Sequence, residues 1–446
     1  MSHHLVRTLR PARVGRPARR LLRSTTSRQP WLSSPLPLSV SLAARAHNFS
    51  TTPQNSQSTP SPPLADVKQT TSAADAAAQL LAELGGKTIT RKQYLDGNQV
   101  QRLSLTLGRR TLWPEHHDEN PYPDDMTDLD ATPGPGIAIP QGYHLAYFTP
   151  DGLEDELGPD GTDRTFNAPA PFTRRMWAGG KMTWHDENGI VSYPGPMMLR
   201  VGEVAEERTR LVDAVAKKSR DGSEMVLVDV EKEFWGKKGL VLVDRRSWIF
   251  RPELEAASST QETVTETHVV RGPSTTRDVD VDGEDLPRRY HRWSPTALFR
   301  FSALTFNGHK IHYDQSWSKA IENHAPGVVV HGPLNLICML NYFQDIIASH
   351  SKGVQDFSPS TFSGSRYGYE RATRVREIEY RALSPLYAGQ EYSIRAAKRE
   401  VKEEEEEAKE ECDPDDEDFG PGQVWDVFIE REGTLCMRGT ITTAGP

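Results

Sequence analysis

Four residues in one short segment near the middle of the chain have side chains suited to proton chemistry. His309, His312 and Asp314 can each give or take a proton. Asn307, just before them, can hold a water molecule or a hydroxyl group but cannot ionise. Imidazole and carboxyl groups this close together are the groups that general acid–base catalysis uses. Asp314 is also a favourable N-cap for a helix, so its role stays open between proton transfer and capping.

Two further elements are predicted to position this segment. Residues 302–306 are predicted as the end of a short apolar strand, which a turn at Asn307 and Gly308 breaks. Further on, apolar residues repeat at helical spacing after Pro333, a residue that suits the first turn of a helix. The backbone N–H of Gly332, at the start of that helix, can point at a developing anion with the helix dipole behind it. The alternative is that Gly332 is a plain turn residue.

The spacing of these residues resembles the signature of a known family, the hot-dog-fold enoyl hydratases and hydroxyacyl dehydratases (MaoC-like, or hydratase 2, proteins). That signature runs from an aromatic residue through Gly-Asp-x-Asn-Pro-Leu-His to a small residue six positions after the His. Phe306–His312 fills this frame, Ser318 takes the small position, and Gly327–Leu334 is a second matching string. The longer string Phe-Asn-Gly-His-Lys-Ile-His-Tyr-Asp is similar to the branch of mitochondrial 3-hydroxyacyl-thioester dehydratases (type 2). Asn307 departs from the signature, because it stands where the family has its catalytic Asp.

The resemblance implies roles for the candidate residues. His312 matches the family's catalytic His and is expected to be the acid/base group. Asn307 is expected to position water or the substrate hydroxyl, while Asp314 or His309 shares the proton work. Three residues are expected to bind the substrate and its developing oxyanion: Gly332, His331 and His309. No metal, nucleotide or flavin motif is present, and no cofactor is expected to be needed.

The resemblance also implies the fold, a fused double hot dog of the α+β class, in which two antiparallel sheets each wrap around a central helix. Its predicted parts are an N-terminal degenerate hot-dog domain (73–252), a linker (253–287) and a C-terminal catalytic MaoC-like domain (288–446). Alternating apolar residues predict strands in both halves, among them 197–201, and residues 73–84 and 90–107 are predicted helices. The string Arg-Arg-Met-Trp-Ala-Gly-Gly (174–180) resembles the family and is expected either to shape the substrate channel or to close the first sheet.

The N-terminal part of the chain differs in composition from the rest. Its first 50 residues contain nine arginines, no lysine and no carboxylate, and the first acidic residue is Asp66. This composition is typical of a mitochondrial transit peptide rather than of a nucleic-acid-binding arm. We therefore expect 1–50 to direct the chain to the mitochondrial matrix and 51–72 to be a disordered linker. Cys338, Cys412 and Cys436 are widely spaced, which fits a reducing compartment.

A second unusual stretch, 400–418, holds 13 carboxylates. Such a run is typical of a solvated loop tip, here an acidic insertion between two predicted strands of the second domain. Another run of polar residues, 116–119, reads His-His-Asp-Glu and predicts a solvated loop rather than a metal site, because consecutive residues cannot all face one ion. No stretch approaches about eighteen consecutive apolar residues, so no membrane-spanning helix is predicted.

Together with the resemblance, these features predict a hydro-lyase that dehydrates (3R)-hydroxyacyl thioesters to trans-2-enoyl thioesters in mitochondrial type II fatty acid synthesis. Its substrates would be carried on the phosphopantetheine of acyl carrier protein or on CoA, and it would act as a monomer or homodimer without nucleic acid. Three alternatives stay open: a hydratase of short branched or dicarboxylic CoA esters (itaconyl- or mesaconyl-CoA), a hot-dog thioesterase, and a catalytically inactive acyl-carrier-binding subunit. An extra cationic side chain in the acyl tunnel would favour the first alternative.

Overall fold

The computed structural model describes residues 71–112, 125–128, 131–186, 197–254, 272–350, 375–399 and 423–443. The predicted transit peptide (1–50), nearly all of the predicted linker 51–72, the polar run 116–119 and the acidic insertion 400–418 lie outside these residues. No helix within the described ranges has both the length and the apolar character that a membrane crossing requires.

The described strands form one antiparallel sheet. In chain order they are β1 (Thr88–Tyr94), β2 (Arg174–Trp184), β3 (Val204–Lys218), β4 (Glu224–Gly236), β5 (Gly239–Arg251), β6 (Thr275–Val279), β7 (Arg288–Arg292), β8 (Val375–Ala382), β9 (Glu391–Lys398), β10 (Val424–Arg431) and β11 (Thr434–Thr443). Their order across the sheet is β1-β3-β4-β5-β2-β8-β11-β10-β9-β7-β6. The strands before the predicted linker therefore occupy one side of the sheet, and those within and after it occupy the other.

The two halves of the sheet join where β2 pairs with β8. Gly179 lies opposite Arg381 and Gly180 opposite Tyr380 in this antiparallel pair. A Cβ atom on Gly179 would lie 2.4 Å from the carbonyl oxygen of Tyr380, and one on Gly180 would lie 2.1 Å from that of Arg245. The two glycines of the Arg-Arg-Met-Trp-Ala-Gly-Gly string thus allow the strands to approach at the junction. This string does close the first half-sheet, as one of its two predicted roles required.

The long helix α5 (Gly332–His350) lies in the core of the second half. Its apolar side chains are fully buried: Leu334, Leu336, Ile337, Met339, Leu340 and Phe343. It packs against β8, β9 and β10, and one continuous apolar cluster joins it to residues of both halves, from Leu95 to Ile441. The predicted central helix and the predicted double hot dog are confirmed. The division into domains 73–252 and 288–446 stays a prediction, because the halves share this core.

Helix α1 (Ala73–Leu84) has the bounds predicted for it and covers β3 and β4. Ser72 and Asp75 form a capping box at its start, because each side chain accepts a hydrogen bond from the other residue's backbone N–H. The prediction of a single helix over 90–107 is wrong. Its first part continues β1, which pairs with β3 along its whole length, and only Gly97–Thr106 forms a helix, α2. Asp96 separates the two elements, because its side chain accepts from Gln99 N at 3.0 Å and caps α2.

The strand predicted at 302–306 is also wrong. Helix α3 (Pro295–Leu304) occupies this stretch. Its N-cap is Ser294, whose side chain accepts from Ala297 N at 3.2 Å, and Pro295 occupies the first turn. These two start signals lie upstream of residues 302–306, and they decide the structure of that apolar run. Phe306 then adopts a positive φ of 48°, which ends the helix and directs the chain into the segment that carries the candidate site.

Two smaller predictions also need correction. Residues 197–201 form no strand, and only Arg200 makes an isolated bridge, to Ala138. The predicted linker 253–287 is not wholly without structure, because its described part contains β6, which pairs with β7. Thr275–Val279 is exposed along nearly its whole length, so it lacks the buried alternation from which a strand is predicted.

Candidate active site

A cavity of about 800 Å³ lies where the two halves meet. One wall comes from the second half and includes residues 305–309, residues 311–313 and the start of α5. The opposite wall comes from the first half and includes parts of the 145–166 loop together with side chains of β2 and β5. Most of its exposed lining is apolar, and a few polar groups face one another near the 305–313 segment. Such a cavity suits an acyl chain whose reacting end lies among polar groups.

His312 lies on this wall at the end of a short 3₁₀ turn, Lys310–His312. Its Nδ1 lies 2.8 Å from the carbonyl oxygen of Val329, which can only accept a hydrogen bond. Nδ1 is therefore the protonated nitrogen, and Nε2 keeps a lone pair. Burial lowers the pKa of His312 to about 4, and the charges of Arg175 and His324 act in the same direction. At neutral pH His312 is thus a neutral imidazole with a free acceptor nitrogen, the form that a general base needs.

His331 lies directly behind His312. The two rings stack with their centroids 3.7 Å apart and 17° between their planes. The side chain of His331 is fully buried, and its Nε2 is hydrogen-bonded to Ser302 Oγ at 2.8 Å. His331 is not among the residues that line the cavity. Its ring packs against that of His312, and its predicted contact with substrate stays a prediction.

Asn307 and His309 share the wall with His312. Asn307 Oδ1 accepts from the backbone N–H of His309 at 3.1 Å, which holds the Asn307 side chain within its own turn. The His309 and His312 rings meet edge to face with centroids 5.4 Å apart. Burial lowers the pKa of His309 well below the ordinary value for histidine, and the charges of His312 and Arg175 lower it further. The structure therefore brings together three of the predicted site residues as neutral polar groups.

Asp314 does not reach this wall. Its Oδ1 accepts from Trp317 N at 2.9 Å, so Asp314 caps the short helix α4 (Gln315–Ala320). The capping interpretation is confirmed, and among the described residues Asp314 is not part of the cavity lining. Ser318, on α4, is fully buried and donates its hydroxyl to the carbonyl oxygen of Gly327 at 2.7 Å. The small residue of the motif thus ties α4 to the segment that leads into α5.

Gly332 begins α5 and lines the cavity. The N–H groups of a helix's first turn have no acceptor within the helix, and Pro333 has no N–H at all. The amide of Gly332 is therefore available to a substrate oxygen. A Cβ atom at this position would lie 2.8 Å from Cγ of Trp177, so the ring of Trp177 leaves room only for glycine. This contact explains the glycine better than a plain turn does.

The first half supplies further polar groups near these residues. One of them, Arg175, belongs to the 174–180 string that is predicted to shape the substrate channel, and residues 174–178 of this string line the cavity. Arg175 lines the cavity, donates to the carbonyl oxygen of Asp163 at 3.3 Å and lies 5.4 Å from the ring centre of Trp248. Within the described residues no carboxylate lies within ion-pair distance of its guanidinium. Asp160 lies beside His309, with 3.5 Å between Oδ2 and Nε2. The Asp160-Gly161 pair is a turn signal, but nothing in the sequence shows that this turn contacts the second half.

Comparisons with known proteins show which family the chain resembles. The family model for hydroxyacyl-thioester dehydratase type 2 matches residues 142–388, more than half of the chain. Mesaconyl-C(4)-CoA hydratase of Chloroflexus aurantiacus is 30% identical over 205 residues, which cover 45% of this chain and 63% of that protein, less than two thirds of its length. The mitochondrial hydroxyacyl-thioester dehydratase type 2 of Schizosaccharomyces pombe is 24% identical over 267 residues, or 58% of this chain and 77% of that protein. A solved MaoC-like dehydratase, 14% identical, aligns over 82% of this chain and all of its own with a TM-score of 0.49.

Proposed function

The chain belongs to the hydroxyacyl-thioester dehydratase type 2 family, and on that premise we propose that it is a hydro-lyase that interconverts (3R)-hydroxyacyl and trans-2-enoyl thioesters. One observation carries the proposal. The hydrogen bond from His312 Nδ1 to Val329 leaves a basic Nε2 on a cavity wall that also contains the start of α5. A base and an amide donor on one wall are what water addition across an enoyl thioester requires.

The reaction can be followed in the direction of hydration. His312 Nε2 takes a proton from water, the water oxygen bonds to Cβ, and the electron pair of the double bond moves towards the thioester carbonyl. The Gly332 N–H and the dipole of α5 stabilise the resulting enolate oxygen. The proton then passes to Cα, and dehydration is the same path in reverse. Asn307 positions the water or the product hydroxyl by hydrogen bonds, because it cannot exchange a proton.

The proposed physiological substrate is an acyl thioester of mitochondrial type II fatty acid synthesis, carried on acyl carrier protein or CoA. Two observations support this choice. The S. pombe relative is named as a mitochondrial dehydratase, and residues 1–50 have the composition of a transit peptide. A phosphopantetheine arm could deliver its thioester through the cavity opening near the exposed ring of Phe306. The reaction as proposed uses side chains and backbone amides of the chain alone.

A second substrate class, short dicarboxylic CoA esters, is favoured by Arg175. Its guanidinium lines the cavity and lowers the pKa of both His309 and His312, so it lies near the reacting end of a bound acyl group. Burial lowers the pKa of Arg175, although the nearby carboxylates of Asp163 and Asp160 act in the opposite direction. A carboxylate on the acyl group would pair with this guanidinium. The C. aurantiacus relative is named as a hydratase of such an ester.

One assay tests the reaction itself. The full chain is mixed with crotonyl-CoA, and hydration is followed as loss of the enoyl-thioester absorbance. We expect turnover by the wild-type chain, with (3R)-3-hydroxybutyryl-CoA as the product. No turnover of crotonyl-CoA, of enoyl-acyl carrier protein or of mesaconyl-CoA would contradict the proposed activity and would support the inactive acyl-carrier-binding subunit.

A variant separates the two substrate classes. Arg175→Gln removes the cation but keeps a hydrogen-bonding side chain. If the acyl group carries a carboxylate, KM for mesaconyl-CoA should rise about ten- to a hundredfold, the usual loss for a charge-assisted hydrogen bond. KM for crotonyl-CoA, which has no such group, should change little. Equal effects on both substrates would show that Arg175 has no preference for a dicarboxylic acyl group.

A further inference from the structure

The loop 158–162 of the first half is docked tightly onto the catalytic segment of the second half. The carbonyl oxygen of Asp160 accepts from the backbone N–H of Lys310 at 2.8 Å, and that of Pro159 accepts from Lys310 Nζ at 2.7 Å. Gly161 has a φ of 82°, and a Cβ atom on it would lie 2.0 Å from the carbonyl oxygen of Gly308. The two backbones therefore approach as closely as glycine permits. This docking fixes the positions of the loop's side chains relative to the catalytic segment.

The loop presents a carboxylate whose two oxygens have different partners. Asp160 Oδ1 accepts two hydrogen bonds from Thr162, from its backbone N–H at 3.0 Å and from its hydroxyl at 2.7 Å. Oδ2 is left for His309 Nε2, 3.5 Å away. Both side chains are about nine-tenths buried. At 3.5 Å this contact is longer than an ordinary N–H···O hydrogen bond, and functional hydrogen bonds are often long before substrate binds.

This arrangement bears on which nitrogen of His309 carries its proton. Burial and nearby positive charges keep the pKa of His309 well below its ordinary value, so the ring is neutral and has a single N–H. A carboxylate can only accept a hydrogen bond, so it favours the tautomer with the proton on Nε2. Nδ1 is then the acceptor of a side chain that lines the cavity.

We propose that Asp160 is a positioning residue for the reaction, which acts through His309 by holding it as the Nε2–H tautomer. His309 Nδ1 then accepts a hydrogen bond from the attacking water and helps to hold it for His312. In this way the first half supplies the carboxylate that Asn307 cannot supply. His309 exchanges no proton, so the bonds formed and broken are those of the hydration reaction alone. The inference rests on the proposed function only in the identity of that reaction.

The first test measures the tautomer and needs no substrate. The full chain, with ¹⁵N-labelled histidine rings, is compared with its Asp160→Asn variant by the chemical shifts of the His309 nitrogens, assigned with His309→Gln. The amide oxygen of the variant side chain can keep the two hydrogen bonds from Thr162 while its NH₂ group turns a donor towards His309. We expect the proton on Nε2 in the wild-type chain and on Nδ1 in the variant. A proton on Nδ1 in the wild-type chain, or the same tautomer in both proteins, would overturn the proposal.

The second test is a double-mutant cycle on crotonyl-CoA hydration with Asp160→Asn, His309→Gln and the double variant. We expect Asp160→Asn to lower kcat about ten- to a hundredfold, the loss seen when the partner that orients a functional histidine is removed, with KM nearly unchanged. In the His309→Gln background it should cause no further loss, because its effect passes through His309. Wild-type kcat in a folded Asp160→Asn protein, or the same loss in both backgrounds, would contradict the proposal.

A control variant is matched to Asp160→Asn, and the two tests can fail independently of the proposed reaction. Asp155→Asn changes an exposed carboxylate of the same loop region that does not line the cavity, and it should leave kcat and the His309 tautomer unchanged. If the wild-type chain does not hydrate any thioester, the proposed reaction fails, but the tautomer measurement still decides the role of Asp160. If the His309 tautomer changes in Asp160→Asn but the variant keeps full activity, the positioning role of Asp160 is overturned and the proposed reaction is not affected.

Discussion

At the scale of single residues, the site is unusual because its histidines are neutral and no carboxylate stands at the position where the family signature has one. His312 keeps its free nitrogen because Val329 holds the other, and His331 fixes the ring from behind. Asn307 is restrained by its own turn through the bond to His309 N. In the proposed reaction the proton chemistry is therefore concentrated on His312, and its neighbours are proposed to orient water, ring and substrate.

The variant Asn307→Asp tests whether residue 307 only positions groups while His312 transfers the proton. The carboxylate keeps an acceptor for the His309 N–H and adds a group that can exchange a proton. We expect activity at or above the wild-type level near neutral pH, with a steeper loss towards acid because the new carboxylate must be ionised to act. The measurement is the hydration rate of crotonyl-CoA against pH.

Asn307→Ala is the matched control for that variant. It removes the hydrogen-bonding group without adding a charge, so it should lower kcat by less than the loss of His312 does. If Asn307→Asp were inactive while Asn307→Ala kept wild-type turnover, the wall around residue 307 would not tolerate a charge, and the positioning role of Asn307 would be wrong.

At the scale of elements, the site depends on how α5 begins. Trp177 packs against Gly332 and is itself held between two rings, since it stacks on Tyr380 at 6.2 Å and meets Trp248 edge to face at 6.5 Å. β2 thus fixes the position of the first turn of α5 through one side chain. The amide that is proposed as the oxyanion donor is therefore positioned by a strand of the first half.

Gly332→Ala should disturb this contact. The added methyl group would lie 2.8 Å from Cγ of Trp177, so either the ring or the first turn must shift. We expect kcat to fall about 10²- to 10³-fold, the loss typical of a displaced oxyanion donor, while KM changes much less. Steady-state kinetics on crotonyl-CoA measures both constants.

Gly134→Ala is the control for Gly332→Ala, because it adds the same methyl group at a site away from α5. A Cβ atom at Gly134 would meet no atom within 4 Å, and its φ is not in the positive range, so turnover and melting temperature should stay at wild-type values. Wild-type kcat in Gly332→Ala would show that the start of α5 does not hold the thioester oxygen.

The elements also show how far the sequence could predict this structure. Strong local signals gave correct elements: the Ala-rich run of α1, the alternation of β4 and β5, and the apolar spacing of α5. The short apolar run 302–306 was predicted wrongly, because the start of α3 is decided by its N-cap Ser294, which lies upstream of this run. The motif correctly placed His312, Asn307, His309 and Gly332 on one wall. The resemblance also predicted the 174–180 string, with Arg175, at the substrate channel. Asp160 could not be placed beside His309, because only tertiary packing brings its loop to the second half.

At the scale of the whole molecule, the two halves form one sheet and one core and build the cavity together. Five histidines are buried in this shared structure, and burial is the main cause that lowers the pKa of each: His144, His291, His309, His312 and His331. The pKa of His291 falls to about 3 and that of His312 to about 4. The fold therefore excludes protons that the unfolded chain would bind.

This burial predicts that acid destabilises the protein. A histidine whose pKa is lower in the folded than in the unfolded chain contributes its full stability above about pH 6.5, and this stability is lost as the pH falls towards the folded pKa. Each such histidine should cost about 1.4 kcal/mol of unfolding free energy per pH unit in that window. Urea unfolding at pH 7.5, 6.0 and 5.0 should show falling midpoints. Identical midpoints would mean that these histidines are not held neutral.

The most direct test of the central claim is the turnover of the full chain with His312 replaced. His312→Ala removes the base, and His312→Gln keeps a donor for Val329 but cannot accept and return a proton. Hydration of crotonyl-CoA is measured for both variants, with circular dichroism and melting temperature as controls for folding. We predict that both variants fold and lose turnover by about 10²- to 10⁴-fold, the usual contribution of an acid/base group. Wild-type turnover in a folded His312→Ala protein would contradict the account.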